Sequence, residues 1–491
     1  MHNTRKQGVY RENSMEPLVS VLFSLRKKRN RMWGRKMDLY FAFLAFGCAI
    51  IACLSWEVPL SAGVFVGLLA FMLTGCHQGY SLRSLLGMVY RSRKTSLLVC
   101  QILFFIGCLT ALWRSSGTIA YFVYYGIQLV TPHFFLVLAF LLSAALSFAL
   151  GSSFGTVVTA GVMLMALARS GNVDVLMTAG AILSGAFVGE RCAPASSAAL
   201  LISSVTGVDH KEFIKKAIKI GSVPFMLSLL FFLFLSWTHP IQQVDERLLL
   251  ALEQQYQLSW LTMIPAVVLL VLPWLGLRIV HVVMLSGLAA FLVAIGVQHQ
   301  SLLGTLVDCI AGYQETDPLL QNILSGGGAL SMLNVMCIIF LSNGCVGVFR
   351  ETGMLHHIQD RLYPLMKRMG FFEAQIVLAV FLSSVFCNQT LGITLSTQLT
   401  SQIYEEHSIG KDILAADLNN SIVTIAALIP WSVACALPLS VMHVNAAALL
   451  YSVWLYLVPL SFIFTRSDFF HITTLCPEDK AECFAEEKDA D

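Results

Sequence analysis

The segment GAFVGERCAPASS, residues 185–197, lies inside an apolar stretch running from 173 to 206. At about 1.5 Å per residue, a straight helix over that stretch would be about 50 Å long. A bilayer's hydrocarbon core is only about 30 Å thick, so a helix of this length has to break. Gly189 and Pro194 frame the place where unwinding costs least, and Glu190 and Arg191 fall inside it. Ionisable groups at such depth are costly and face a cavity or a partner. Helix ends flanking a break expose carbonyls on one side and N–H groups on the other. With Ser196 and Ser197 the carbonyls suit a small hard cation, whereas the N–H groups and the positive dipole end suit an anion.

The rest of the chain supports a membrane setting. Its 491 residues are 57% hydrophobic and only 12% charged, against about 25% charged in soluble domains. That is too much apolar surface for one soluble core, and the chain reads as polytopic. Apolar runs of spanning length occur near 38–55, 58–75, 95–114, 173–206, 217–237, 259–276, 279–298, 329–349, 413–443 and 446–465. Two further segments, 134–169 and 374–405, are long and interrupted by polar tips, Gly151-Ser152-Ser153 and Asn388-Gln389-Thr390. They read as re-entrant hairpins, which are tolerated only where protein or water covers the backbone. The expected fold is an all-α polytopic membrane protein with about ten transmembrane helices plus two re-entrant hairpins.

Basic residues set the expected orientation. With the N-terminus in the cytoplasm, the segments assigned inside hold 27 of the 31 Lys and Arg residues. Arg114, Arg169 and Arg247 lie outside, and Arg191 within the membrane. Reading 116–131 as a further span would put Lys215 and Lys216 outside, so it is rejected. The expected boundaries are a basic cytoplasmic segment 1–37, a first membrane repeat 38–237 and an external linker 238–258. A second membrane repeat 259–465 and an acidic cytoplasmic tail 466–491 follow. No cleavable signal peptide is evident, and the chain is expected in the cell membrane with both termini cytoplasmic.

Sliding the chain by 236 residues aligns its unusual positions. Arg114 and Gly117 meet Arg350 and Gly353, the two hairpin tips coincide, and Pro194 and Ser196 meet Pro430 and Ser432. The topology makes the two halves inverted, an architecture frequent in secondary transporters. The polar positions expected at the converging breaks and tips are Ser152, Ser153, Thr156, Glu190, Arg191, Ser196, Ser197, Asn388, Gln389, Thr390, Asn420 and Ser432. Glu190, Ser196 and Asn388 are the candidates for holding Na⁺. Two readings of Glu190 and Arg191 stay open: a structural ion pair, or groups that take part in transport. Asp417 reads as a helix N-cap, and Asp308 and Glu315 as ordinary outer-loop residues, with a place at a pore mouth as the alternative. His356 and His357 read as a solvated face.

The thirteen cysteines are scattered singly, without metal-ligand spacing, and read as small buried hydrophobes. No phosphate loop, zinc-protease or nucleophile-elbow motif is present, so ATP-driven pumping and membrane hydrolysis have no support. The basic N-terminus reads as a topology determinant and not as a nucleic-acid patch. No cofactor is expected beyond the coupling ions Na⁺ and H⁺.

The stretches GSSFGT (151–156), SGAFVGERCAPASS (184–197), ILSGGGALSM (323–332), CNQTLGITLSTQL (387–399) and ADLNNSIVTIAALIPWS (416–432) resemble the NhaC-type sodium/proton antiporter family, within the wider ion-transporter superfamily. The resemblance covers roughly 60–465. It implies two inverted repeats, paired hairpins, a substrate domain moving against a scaffold, and a homodimer. Against the family signature G-D-x-x-S-P-x-S-D-T-T, the residues Gly189, Glu190, Pro194 and Ser196 fit, but Ser197 stands where a second acid is usual. Asn419 and Asn420 replace an acidic pair found in other members. Glu190 is left as the main midplane carboxylate. The expected function is Na⁺/H⁺ antiport by alternating access. The alternative is Na⁺- or H⁺-coupled movement of a small organic anion or amino acid held by Arg191, with a passive channel less favoured.

Overall fold

Most of the described residues are helical, and several helices end or begin at a glycine, a proline or a polar cap. A computed structural model describes residues 40–53, 55–56, 58–129, 134–239, 246–275, 277, 279–352 and 356–470. The basic segment 1–37, most of the tail 466–491 and part of the linker 238–258 lie outside them, as do the side chains of Arg350, His356 and His357. Among the described residues there is no strand, only one isolated bridge between Tyr313 and Gly326. The protein is an all-helical polytopic membrane protein. Five described helices are long and apolar enough to cross a bilayer, or seven when each of two bent pairs counts as one span.

The described chain divides into two compact units. The first, residues 1–93 with 343–358, contains the helices Tyr40–Cys53 and Leu60–His77. Its centre is aromatic: Phe71 packs edge-on against Phe43 and Phe349, with ring centroids 5.3 and 4.8 Å away. Arg91 pairs with Glu351 at its surface, a contact that contributes little in water.

The second unit holds every residue singled out above as a candidate site, and its helices follow in order: α1 Phe135–Leu150, α2 Ser153–Ser170, α3 Val175–Cys192, α4 Ser197–Thr206 and α5 His210–Thr238. Later come α6 Phe371–Phe386, α7 Gln389–Glu406, α8 Lys411–Asn420, α9 Val433–Met442 and α10 Val453–Phe469. The bounds of α1, α2 and α4 recur in α6, α7 and α9 at a spacing of 236 residues. Within α2 the segment Val157–Gly161 is a π turn.

Helices α1 and α3 approach closely because α3 offers glycine at its contact face. A Cβ on Gly185 would lie 2.4 Å from the Phe140 carbonyl oxygen, and one on Gly189 would lie 2.1 Å from the Ser147 carbonyl carbon. Several expected crossings are interrupted. The run 259–276 is split into a 3₁₀ turn Trp260–Met263, a helix Ile264–Val271 and a second 3₁₀ turn Leu272–Leu275. Pro265 starts the helix, and Pro273 lies in the turn after it, as expected of a residue that cannot continue a helical hydrogen-bond ladder. The segment 116–131 contains a helix, Thr118–Leu129, turned by 62° from the one before it. At about 18 Å it is too short to cross alone.

Glu315 departs from its reading as an ordinary loop residue. It is buried, and its carboxylate accepts from Tyr256, from Tyr313 at 3.4 Å and from Gln255 at 2.9 Å. Burial, reinforced by the Glu315 charge, raises both phenols, Tyr313 to about 12. Both therefore stay protonated and keep donating at neutral pH.

Candidate functional site

The first tip is made by local chemistry. Gly151 closes α1 in the left-handed region (φ 66°), which glycine enters without a Cβ penalty. Ser152 then caps α2, its hydroxyl accepting from the Gly155 N–H at 3.2 Å. This tip seats on the break after α3: a Cβ on Gly151 would lie 2.5 Å from the Ala195 carbonyl carbon. Ser196 starts α4 by accepting from Ala199 N–H at 3.2 Å, and its hydroxyl donates to the Glu190 carbonyl.

Glu190 is buried at the end of α3 and points to the tip. Its Oε2 accepts from the Ser153 N–H at 2.9 Å and from the Ser153 hydroxyl at 3.1 Å. No ion pair within 4.0 Å joins it to any described cation, Arg191 included. The reading of Glu190 and Arg191 as a structural pair is therefore overturned. Consecutive residues on a helix point about 100° apart, and these two serve different neighbours.

Arg191 is fully buried and turns away from the tip, towards α5 and α8. Its Nη1 donates to the Ala217 carbonyl at 3.0 Å and to Cys192 Sγ at 3.1 Å, and its Nη2 donates to Asn420 Oδ1. Its Nε has no partner. The guanidinium lies 5.8 Å from the Trp454 ring centroid, within cation–π range. Gly221 leaves it room, since a Cβ there would sit 2.7 Å from Nη1. Asn419 reaches the Arg191 carbonyl from α8 at 3.4 Å, and its Oδ1 is buried without a partner. Arg191, Asn419 and Asn420 thus join one break to the helix that leads into the other.

The second tip repeats the design with different residues. Cys387 ends α6 at φ 52°, and Asn388 caps α7 by accepting from Leu391 N–H at 3.2 Å. The Val433 N–H bonds the Cys387 carbonyl at 2.8 Å, tying this tip to the break before α9. Gln389 Nε2 and Ser432 Oγ are buried here without partners. Of the three residues expected to hold Na⁺, Asn388 caps the helix of the second tip, while Glu190 and Ser196 belong to the break on which the first tip seats. Thr156 is buried beneath the first tip, its hydroxyl on the Ser152 carbonyl at 2.9 Å. Ser197 and Thr390 are exposed.

Asp417 is not a helix cap. It lies well inside α8, fully buried, with a two-pronged ion pair to Arg466 at 3.0 and 2.6 Å and the Tyr404 hydroxyl at 2.6 Å. Arg466, counted as a topology determinant, is the partner that sequence reasoning missed. No local signal links two residues 49 positions apart.

A narrow cavity opens beside these groups. Asp209, Glu212, Lys216 and Asp412 are exposed at its mouth, and Ala217, Ala416, Asn419 and Asn420 are buried at its floor. Lys216 and Asp412 form an ion pair of 2.6 Å across the mouth. Among the described residues no cluster of three metal-ligating side chains occurs.

Broken helices, with a carboxylate and a guanidinium buried where they break, in a polytopic helical membrane protein define a secondary-active transporter. The chain belongs to the Na⁺/H⁺ antiporter family, whose pattern it matches over residues 34–237 and 214–466. It is 24% identical over 409 residues to the malate-2H⁺/Na⁺-lactate antiporter of Bacillus subtilis, covering 81% of this chain and 87% of that one. It is 25% identical over 369 residues to the Na⁺/H⁺ antiporter NhaC of Alkalihalophilus pseudofirmus, covering 73% and 79%. To the arginine/ornithine antiporter ArcD of Halobacterium salinarum it is 26% identical over 406 residues, covering 79% and 81%. The protein is a secondary-active antiporter.

Proposed function

We propose that the chain exchanges Na⁺ for H⁺ by alternating access, with Glu190 as the group that carries the two ions in turn. The observation behind this reading is the setting of Glu190: a buried carboxylate held by Ser153 alone, with no cationic partner within 4.0 Å among the described residues. An ionised carboxylate without a partner is costly in a low-dielectric interior. It is relieved by a proton or by a small cation, and because neither is built into the protein, each can leave. The Glu190 carbonyl and the Ser153 hydroxyl supply further oxygens of the hard type Na⁺ prefers. The relative named as an NhaC Na⁺/H⁺ antiporter supports the pairing of ions.

In this reading the two halves are inverted repeats with re-entrant tips. The protein sits in the cell membrane with both termini cytoplasmic, works as a homodimer, needs no cofactor beyond its coupling ions and catalyses no reaction. The test is Glu190→Gln in everted vesicles with a pH-sensitive dye. Na⁺-driven proton movement is expected to vanish, and an undiminished signal removes Glu190 from the mechanism. A second reading, coupled movement of a small organic anion or amino acid, is favoured by one observation: the buried Arg191 has no carboxylate partner.

A further inference from the structure

We propose that the cavity between α5 and α8 is a cargo subsite, separate from Glu190. It would take a small carboxylate with a hydrogen-bond donor on the neighbouring carbon, a 2-amino or 2-hydroxy acid. The proposal rests on the antiport reading for its driving ion and adds the cargo that this ion would move.

Buried arginines are normally matched by carboxylates. Arg191 is fully buried and holds only neutral acceptors, two of which, the Ala217 carbonyl and Asn420 Oδ1, belong to residues of the cavity floor. Its Nε is left over. The guanidinium therefore stands directly behind that floor, with the Asn420 side chain in front of it. Displacing one neutral amide would let a carboxylate take the planar, forked contact that arginine favours. Asn419 supplies the other half of the recognition. Its Oδ1 is an acceptor in the same floor, buried and without a donor, and an ammonium or hydroxyl beside the carboxylate would meet it. The acidic groups Asp209, Glu212 and Asp412 at the mouth outnumber Lys216, which favours an ammonium on the entering molecule. The floor is narrow, so cargo enters as the Lys216–Asp412 bridge opens.

An acid at 420 would pair with Arg191 from within the chain and shut out a free carboxylate. This makes Asn420→Asp, almost unchanged in shape, the decisive variant.

The experiment measures thermal unfolding of the purified protein in detergent against NaCl, L-alanine, L-lactate and propionate. Alanine and lactate are expected to raise the midpoint, alanine at the lower concentration. Propionate, which has no donor for Asn419, is expected to need about tenfold more, the factor one hydrogen bond to a buried polar group supplies. Asn420→Asp and Arg191→Met should lose the carboxylate response. Asn419→Leu should bring alanine down to the level of propionate. Propionate matching alanine in the wild type overturns the proposal, as does an alanine response that survives in Asn420→Asp. Stabilisation by Na⁺ alone overturns it too and leaves the antiport reading standing. Retained Na⁺-driven exchange in Glu190→Gln instead removes Glu190 from the mechanism, and wild-type vesicles without Na⁺-driven proton movement count against the antiport reading, each independently of the cavity.

Discussion

Asp417 shows how one side chain can be misjudged and why. An acid near the start of an apolar helix has the look of a cap, but here it holds Arg466 in a buried, two-pronged contact with Tyr404 alongside. Breaking a buried pair on one side leaves an uncompensated charge and costs about 3–5 kcal/mol. Asp417→Asn is accordingly expected to lower the unfolding midpoint in detergent sharply. Asp417→Leu combined with Arg466→Met, which removes both charges, should recover most of the loss. A double variant as unstable as the single one would mean that the ion pair is not the source of the effect. Glu190 and Arg191 make the complementary point. Adjacent in sequence, they read as natural partners, yet helix rotation sends one to Ser153 and the other to Asn420.

At the scale of elements, what the sequence made legible follows from how locally each feature is determined. Gly151, Pro194 and Pro430 act on their own backbone, and the chain breaks beside all three. The tips were legible for the same reason, since Ser152 and Asn388 do their capping within three residues. Facing directions were not. Ser197 and Thr390 sit beside the buried groups in sequence but are exposed, because rotation about a helix axis is set by packing partners far along the chain. The contact of Arg191 with Asn420 spans 229 residues and leaves no local trace. The α1–α3 contact is a further case, legible only as scattered glycines. A side chain at Gly189 meets Ser147 backbone, which cannot rotate away. Overpacking of this kind costs about 1–3 kcal/mol or more. Gly189→Leu should therefore abolish recovery of monodisperse protein, and Gly189→Ala should lower the unfolding midpoint. Gly296→Ala, where nothing lies within 4 Å, serves as the control and should leave it unchanged. If Gly189→Leu unfolds like wild type, α1 and α3 do not rely on this close approach.

For the molecule as a whole, exchange requires the breaks to be reached from one face and then the other. The cavity between α5 and α8 is the approach visible in this state, and Lys216 with Asp412 spans its mouth. Both side chains are about half exposed, so the bridge adds little stability and is suited to opening and closing. Cysteines placed at 216 and 412, in a background lacking the thirteen native ones, allow the mouth to be fastened with a short reducible cross-linker. Exchange is expected to stop on cross-linking and to return on reduction. Full-rate exchange by fastened protein would show that cargo and ions pass elsewhere.

The π turn at Val157–Gly161 gives the first tip a property that its caps do not. A π turn closes its hydrogen bonds over five residues instead of four, so α2 stores one residue more than its length requires. It stores that residue just below Ser153, the partner of Glu190. Rewinding those five residues into α geometry would turn Ser153 and Thr156 by about 100° against the remainder of α2. Glu190 would lose both hydrogen bonds at once, although α3 had not moved. The helix beneath the tip thus carries slack of one residue, wound like a spring at the point where an ion would have to be released.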